Sequence, residues 1–222
     1  MKSYSKVSNW YQAEGTSRVG EIAAEPQSPQ SPKPDLRATK LTRQRYQRIA
    51  PFYDLMELLP ERRYRPWREH LWSLVAGPKV LEVGVGTGRN VEFYPEGMHV
   101  TAIDLASGML ERAVKRAREL GKQVDLRLMD VQNLEFPNTT FDTVVATCVF
   151  CSVPDALLGL REVRRVTKPG GQVLLLQHVR SESPLFGRLM DLLNPLVVRM
   201  MGSNINRRTV EDVRQAGVNS EG

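Results

Sequence analysis

Only two cysteines, Cys148 and Cys151, occur among the 222 residues. That is too few for a disulfide framework, and it predicts a chain at home in a reducing cytosol. No stretch approaches the roughly 18 uninterrupted apolar residues that a bilayer-spanning helix needs. Residues 1–20 also lack the apolar run of a secretion signal. A soluble or peripheral protein is therefore expected. No charge of one sign dominates either: 31 Lys and Arg against 25 Asp and Glu leave a net +6. Such an excess suits nucleic acid or an acidic membrane surface, and equally a generic basic exterior. The 41% of hydrophobic residues suffices for a buried core, and the length fits one domain with an extension.

Residues 26–34 read Pro-Gln-Ser-Pro-Gln-Ser-Pro-Lys-Pro. With no apolar side chains to bury, they are expected to form an extended linker. The segment before them is polar and aperiodic, so 1–36 is expected to be a disordered tail, with the folded domain spanning 37–222. From 36 to 59, Leu41, Ile49, Phe52, Leu55 and Met56 recur at helical spacing. Arg37, Lys40, Arg43, Arg45 and Arg48 crowd the same segment. Pro66 suits the first turn of a second helix ending near Ala76, before Gly77-Pro78. Together these form an N-terminal helical unit over about 37–76.

Beyond it, apolar runs at 79–83, 98–103, 124–129, 143–147 and 172–177 alternate with helical patterns, clearest at 107–120 and 155–166. That alternation predicts βαβ units, a mostly parallel sheet and a doubly wound, Rossmann-like α/β fold with helices on both faces. In such sheets ligands bind beyond the carboxyl ends of the strands. The first run ends Glu82-Val83-Gly84-Val85-Gly86-Thr87-Gly88, where three glycines let backbone approach a ligand closely. A dinucleotide site would place its third glycine at 89, but that residue is Arg89. Asp104 ends the second run; its carboxylate either accepts bonds from two ribose hydroxyls or caps the following helix. Asp130 ends the third run, either reading an adenine amino group or lying on a loop surface.

These segments, with Asp104-Leu105-Ala106-Ser107-Gly108-Met109-Leu110, Asp130-Val131 and Lys168-Pro169-Gly170-Gly171, resemble the ordered motifs of class I S-adenosylmethionine-dependent methyltransferases across roughly 46–217. The resemblance implies S-adenosylmethionine as cofactor, S-adenosylhomocysteine as product, and no metal. Gly84, Gly86 and Gly88 would line the amino acid half of the cofactor and Asp104 would hold its ribose. Met109 would pack near adenine, whose edge Asp130 and Val131 would read. Glu82, Leu105, Cys148 and Cys151 complete the implied cofactor contacts, Cys151 as a small apolar wall. The segment Tyr46-Gln47-Arg48-Ile49-Ala50-Pro51-Phe52-Tyr53-Asp54 is similar to the leading segment of quinone C-methyltransferases, which folds over the cofactor. Tyr53 would be its main contact and Tyr46 a second active-site tyrosine; otherwise both pack on the sheet edge. Gln177-His178-Val179-Arg180-Ser181 and Asn204-Ile205-Asn206-Arg207-Arg208-Thr209 look more like bacterial phospholipid N-methyltransferases, which act on phosphatidylethanolamine.

The region from Phe141 to Pro154 lacks the Asp/Asn-Pro-Pro-aromatic clamp of enzymes that methylate nucleobase amines, so no nucleic-acid substrate is expected. The pair of antiparallel strands that usually closes the family's sheet is also not evident after 209–216. That predicts truncated C-terminal strands and an uncovered edge on the fifth strand. His178, after the fifth run, is either the base that takes a proton from an amine acceptor or a structurally bonded histidine. Residues 185–201 are unusually apolar and either line an acyl pocket, lie at an interface or pack in the core. The expected reaction is N-methylation of phosphatidylethanolamine and its partly methylated forms. Quinone-type C-methylation, methylation of a small thiol, and a cofactor-binding module without turnover are the alternatives. The expected partners are a phospholipid or other small hydrophobic substrate and an anionic membrane surface. A cytoplasmic monomer, peripheral on the inner face of the membrane, is the expected state.

Overall fold

The computed structural model describes residues 16–19, 33–56, 58–177, 212–213, 215–217 and 220–221. Its elements are β1 (Thr16–Val19), α1 (Leu36–Met56), α2 (Leu58–Ser73), β2 (Lys79–Val83), a 3-10 turn at Val91–Phe93, β3 (His99–Asp104), α3 (Ser107–Glu119), β4 (Asp125–Leu128), β5 (Phe141–Thr147), α4 (Ala156–Val166), β6 (Thr167–Leu176) and β7 (Ser220–Glu221). The strands form one sheet in the order β4-β3-β2-β5-β6-β1-β7. The five strands from β4 to β6 run parallel, as expected for a doubly wound α/β fold. Chain order runs outward from β2 to β4 and then resumes at β5 on the other side of β2. The β2–β5 boundary is therefore the switch point where such sheets bind ligands.

Side chains alternate across the sheet with the strand period of two. Leu81 and Val83 join Val144, Ala146, Val173 and Leu175 on one face, covered by α4 through Leu160, Val163 and Val166. Val80, Val145, Leu174 and Leu176 face the other side, against Leu71 and Trp72 of α2 and Ala117 of α3. Central strands buried on both faces read as unbroken apolar runs, which is why the sequence pattern located them. The turn Lys168-Pro169-Gly170-Gly171 bulges out of β6: Phe141 pairs with Thr167 and Thr143 with Gln172.

Three expectations are corrected. The second helix starts at Leu58 rather than at Pro66, which sits inside it. An interior proline costs one backbone bond, and burial of Leu71 and Trp72 offsets that cost. The expected disorder over 1–36 does not hold for Thr16–Val19, which pair antiparallel with β6, Thr16 opposite Leu176. The fifth parallel strand is thus not an uncovered edge: β1 lies on it, and β7 pairs with β1, Arg18 opposite Glu221. An open ladder of N–H and C=O groups readily captures a short strand, even one whose sequence shows little periodicity. Of the helix expected over 209–216, Val213 and Ala216 are described, both buried on the α4 face. His178, the apolar segment 185–201 and the motif 204–209 lie outside the described residues.

Candidate active site

The loop after β2 turns sharply because its glycines adopt left-handed backbone. Gly84 has φ +67°, and a Cβ there would overlap the Val149 side chain. Gly88, at φ +82°, packs on Ala113 of α3, where a Cβ would come within 3.1 Å of the Ala113 Cα. Gly86 N–H donates to Asp104 Oδ2 at 2.9 Å, and Ala106 N–H donates to Asp104 Oδ1 at 2.9 Å. Asp104 therefore stitches the glycine loop to the turn before α3. Burial pushes its carboxyl up, with the backbone N–H groups of Ala106, Gly86 and Leu105 acting in the opposite sense.

Helix α1 crosses the carboxyl ends of the strands as a roof. Thr39, Thr42, Tyr46, Ala50 and Tyr53 recur at three- and four-residue steps along one face. Ala50, Tyr46 and Tyr53 pack with Ala106 and Met109. The roof is fastened at three points. Near its start, Thr39 Oγ1 donates to Asp130 Oδ2 at 3.3 Å. In the middle, Gln47 Oε1 accepts from Gly108 N–H at 2.9 Å, engaging the first turn of α3. In the last turn, Asp54 Oδ1 accepts from Thr87 Oγ1 at 2.8 Å and meets Nη2 of Arg116 and of Arg89, each at 3.1 Å. Burial pushes the Asp54 carboxyl up, but the Thr87 bond and the Arg116 and Arg89 guanidiniums outweigh it and hold it below the ordinary value.

Between roof and strand ends lies a cavity of about 710 Å³ including its open mouth. It gathers ten of the residues singled out from sequence: Tyr46 and Tyr53 from α1, Gly84 and Gly86 from the loop, Asp104, Leu105 and Met109 after β3, Asp130 and Val131 after β4, and Cys148 after β5. Cys148 holds a left-handed backbone, φ 55°, a strain of order 1 kcal/mol for a residue with a Cβ. Its N–H is anchored on the Leu176 carbonyl at 2.7 Å. Gly88 and Cys151 are not in the lining. Gly88 supports α3 instead, and the Cys151 thiol donates to the Cys148 carbonyl at 3.2 Å. Thr42, Thr147, Ser152 and Pro154 line the cavity without having been anticipated; lone hydroxyls and a proline carry no distinctive sequence signal.

Glu82 also lies outside the cavity lining. Its side chain points to the opposite sheet face from Val83, the face of Val80 and Val145, where it is 1% exposed. There it accepts from Asn90 Nδ2 at 2.6 Å and from the Tyr94 hydroxyl. Burial raises its carboxyl to about 7, against the lowering effect of Tyr94, Asn90 and Arg68. It supports the glycine loop from below.

A switch-point cavity with a glycine loop and two strand-end carboxylates defines a class: α/β enzymes that hold an adenosine-bearing cofactor. Asp104 and Asp130 offer acceptors suited to ribose hydroxyls and an adenine amine, so S-adenosylmethionine fits the residues present. A family profile described as a methyltransferase domain matches residues 81–175. The chain is 42% identical over 112 residues to a phosphatidylethanolamine N-methyltransferase of Cereibacter sphaeroides, covering 49% of this chain and 55% of that protein. It is 31% identical over 165 residues to a demethylmenaquinone methyltransferase of Staphylococcus epidermidis, covering 71% of this chain and 68% of that one. A Thermotoga maritima structure described as a SAM-dependent methyltransferase, possible histamine N-methyltransferase, shares the fold with TM-score 0.61 at 24% identity, over 78% of this chain and 80% of that one. The chain belongs to the class I S-adenosylmethionine-dependent methyltransferases, and S-adenosylmethionine is its cofactor.

Proposed function

We propose that the protein N-methylates phosphatidylethanolamine and its partly methylated forms, drawing them from an anionic membrane surface. The observation that carries this reading is the surface of the roof beside the cavity mouth. Tyr53 lines the cavity, while its neighbours Phe52 and Leu55 are 63% and 73% exposed. Met56 and Leu58 are exposed as well. Arg43, Arg45 and Arg48 stand on the same helix, and each basic group near an anionic bilayer adds roughly 1 kcal/mol. Exposed apolar side chains beside basic ones suit a lipid interface. Among the described residues no helix is long and apolar enough to cross a membrane.

Bound S-adenosylmethionine supplies a methyl carbon activated by its sulfonium. The chain's own work is placement, worth on the order of 7–11 kcal/mol when a nucleophile is well aligned. On this reading Tyr46 and Tyr53 close the roof against water, and Asp104, Leu105, Met109, Asp130 and Val131 seat the adenosine. Gly84, Gly86 and Cys148 border the amino acid end. His178, which follows the buried Gln177 at the end of β6, accepts the proton that the ammonium of the head group sheds. The 42% match to the Cereibacter enzyme supports this substrate class over half the chain.

Quinone-type C-methylation is the second reading, favoured by the longer match to the Staphylococcus enzyme. The two are separated by expressing the chain in a host that lacks phosphatidylcholine. Mass spectrometry showing mono-, di- or trimethylated phosphatidylethanolamine supports the first. Unchanged phospholipids with a newly methylated quinone ring support the second.

A further inference from the structure

A row of three positions crosses the floor of the cavity. Val83 of β2 pairs with Ile103 of β3 on one side and Ala146 of β5 on the other. The next residues along, Asp104, Gly84 and Thr147, therefore stand side by side at three adjacent strand ends, and all three line the cavity. Thr147 is 7% exposed, and the bonds around it define what its hydroxyl can do.

Arg68 Nη1 donates to Asn90 Oδ1 at 2.9 Å. A guanidinium only donates, so the Asn90 amide has one orientation, with Nδ2 pointing the other way. Its two hydrogens go to Glu82 Oε1 at 2.6 Å and Thr147 Oγ1 at 3.0 Å. Thr147 thus serves Asn90 as an acceptor, and its own hydrogen has no acceptor among the described residues. The buried chain Arg68–Asn90–Thr147 leaves one hydrogen-bond donor at the cavity wall.

The charge pattern of the cavity says what that donor meets. Asp104 and Asp130 sit at the ends of β3 and β4. They attract the hydroxyl and amino groups of an adenosine and repel an anion. The end of the cavity away from both carboxylates lies across β2, at Thr147 and Cys148. The cofactor's one anionic group is the carboxylate of its amino acid end, an acceptor that a donor-only hydroxyl suits and an ammonium would not. We propose that the Thr147 hydroxyl, oriented by Asn90, is the anchor for that carboxylate. Asp104 and Thr147 then hold the two ends of the ligand from opposite sides of the glycine loop. The assignment rests on the cofactor site and is independent of the methyl acceptor.

Calorimetric titration of the full chain with S-adenosylhomocysteine and with 5′-methylthioadenosine, which lacks the amino acid end, tests it. A hydrogen bond to a charged group contributes about 1.5–3 kcal/mol, so T147V weakens S-adenosylhomocysteine binding about tenfold or more and leaves 5′-methylthioadenosine affinity unchanged. The second ligand also reports that the variant is folded. T147S restores the loss, and T147A reproduces the selective loss should the valine not be accommodated. Equal weakening of both ligands would overturn the proposal by making Thr147 a structural residue, as would unchanged S-adenosylhomocysteine affinity in T147V. A wild-type chain that binds neither ligand would overturn the cofactor site itself.

Discussion

Asp54, in the last turn of the roof helix, and Thr87, in the glycine loop, are joined by a 2.8 Å hydrogen bond. Around that bond Arg89 and Arg116 converge on the same carboxylate. The C-terminal end of the roof is thereby held to the glycine loop; on the proposed placement of the cofactor, with its amino acid half against that loop, ligand release and opening of this contact are coupled. Asp54→Asn keeps the shape and removes the charge. It should speed S-adenosylhomocysteine release about fivefold, the equivalent of the roughly 1 kcal/mol of a partly exposed ion pair. High salt should speed release from the wild type and change the variant little, because only the former loses a charge interaction to screening. Stopped-flow fluorescence at two salt concentrations reads both. The Asp54 carboxyl is held below its ordinary 3.8, so the clasp is in place above that pH and weakens as pH falls through the lower folded value.

Asp104→Ala removes a carboxylate that accepts from the Gly86 N–H and, on the proposed placement of the cofactor, from its ribose. S-adenosylhomocysteine affinity should drop at least tenfold, given about 1.5–3 kcal/mol for each charge-assisted bond lost. Asp104→Asn, whose amide oxygen still accepts from the backbone, should retain more affinity than Asp104→Ala. Calorimetric affinities of the two variants in the reverse order would refute the dual role.

Glu82 makes stability depend on pH in the opposite sense to Asp54. Its carboxyl titrates near 7 in the fold against 4.5 when free. Folding therefore favours the protonated form. The contribution is complete below about pH 4.5 and is lost as pH rises through about 7, at most about 3 kcal/mol. Glu82→Gln carries no titrating proton there and should flatten the fall in stability between those limits. Urea unfolding at pH 5 and pH 8 measures it: a wild type equally stable at both, relative to the variant, would contradict the assignment.

Membrane docking predicts that wild-type chain sediments with anionic vesicles at low salt and releases as salt rises. Reversing Arg43, Arg45 and Arg48 to Glu should abolish most of that binding while leaving cofactor affinity intact. Phe52→Ser with Leu55→Ser should reduce binding at every salt concentration, since burial of apolar surface is not screened. A wild type that ignores anionic vesicles would remove the physical basis for a bilayer-borne substrate.

The parallel strands were legible in the sequence because burial on both faces writes them as apolar runs. The cavity was legible because glycines and strand-end carboxylates have few other uses in that order. Glu82 was misplaced by treating a motif as a unit: its carboxylate is taken up by Asn90 and the Tyr94 hydroxyl on the face opposite Val83, and it is not in the cavity lining. Asp54 carried no signal as an ion-pair partner, since Thr87, Arg89 and Arg116 lie far away in the chain and meet it only through folding. Thr147 was invisible for a related reason. An isolated threonine at a strand end acquires meaning only when Asn90, itself fixed by Arg68, reaches it from below the sheet. Thr16–Val19 were missed because a short edge strand is specified by the ladder it joins more than by its own composition.

The pairing of Thr16 with Leu176 also imposes an order in time. During synthesis, β1 leaves the ribosome long before the strand that receives it exists, and it has no other described partner until then. β2, β3 and β5 can assemble first, from pairings much closer in sequence, while β1 waits for β6. Closing so large a loop is slow relative to local contacts, and in the interval the β6 edge is open to other chains. Dilution or chaperone capacity during expression should therefore govern yield more strongly for this chain than its final stability does. A truncation that begins after Val19 should aggregate even though every cavity residue remains.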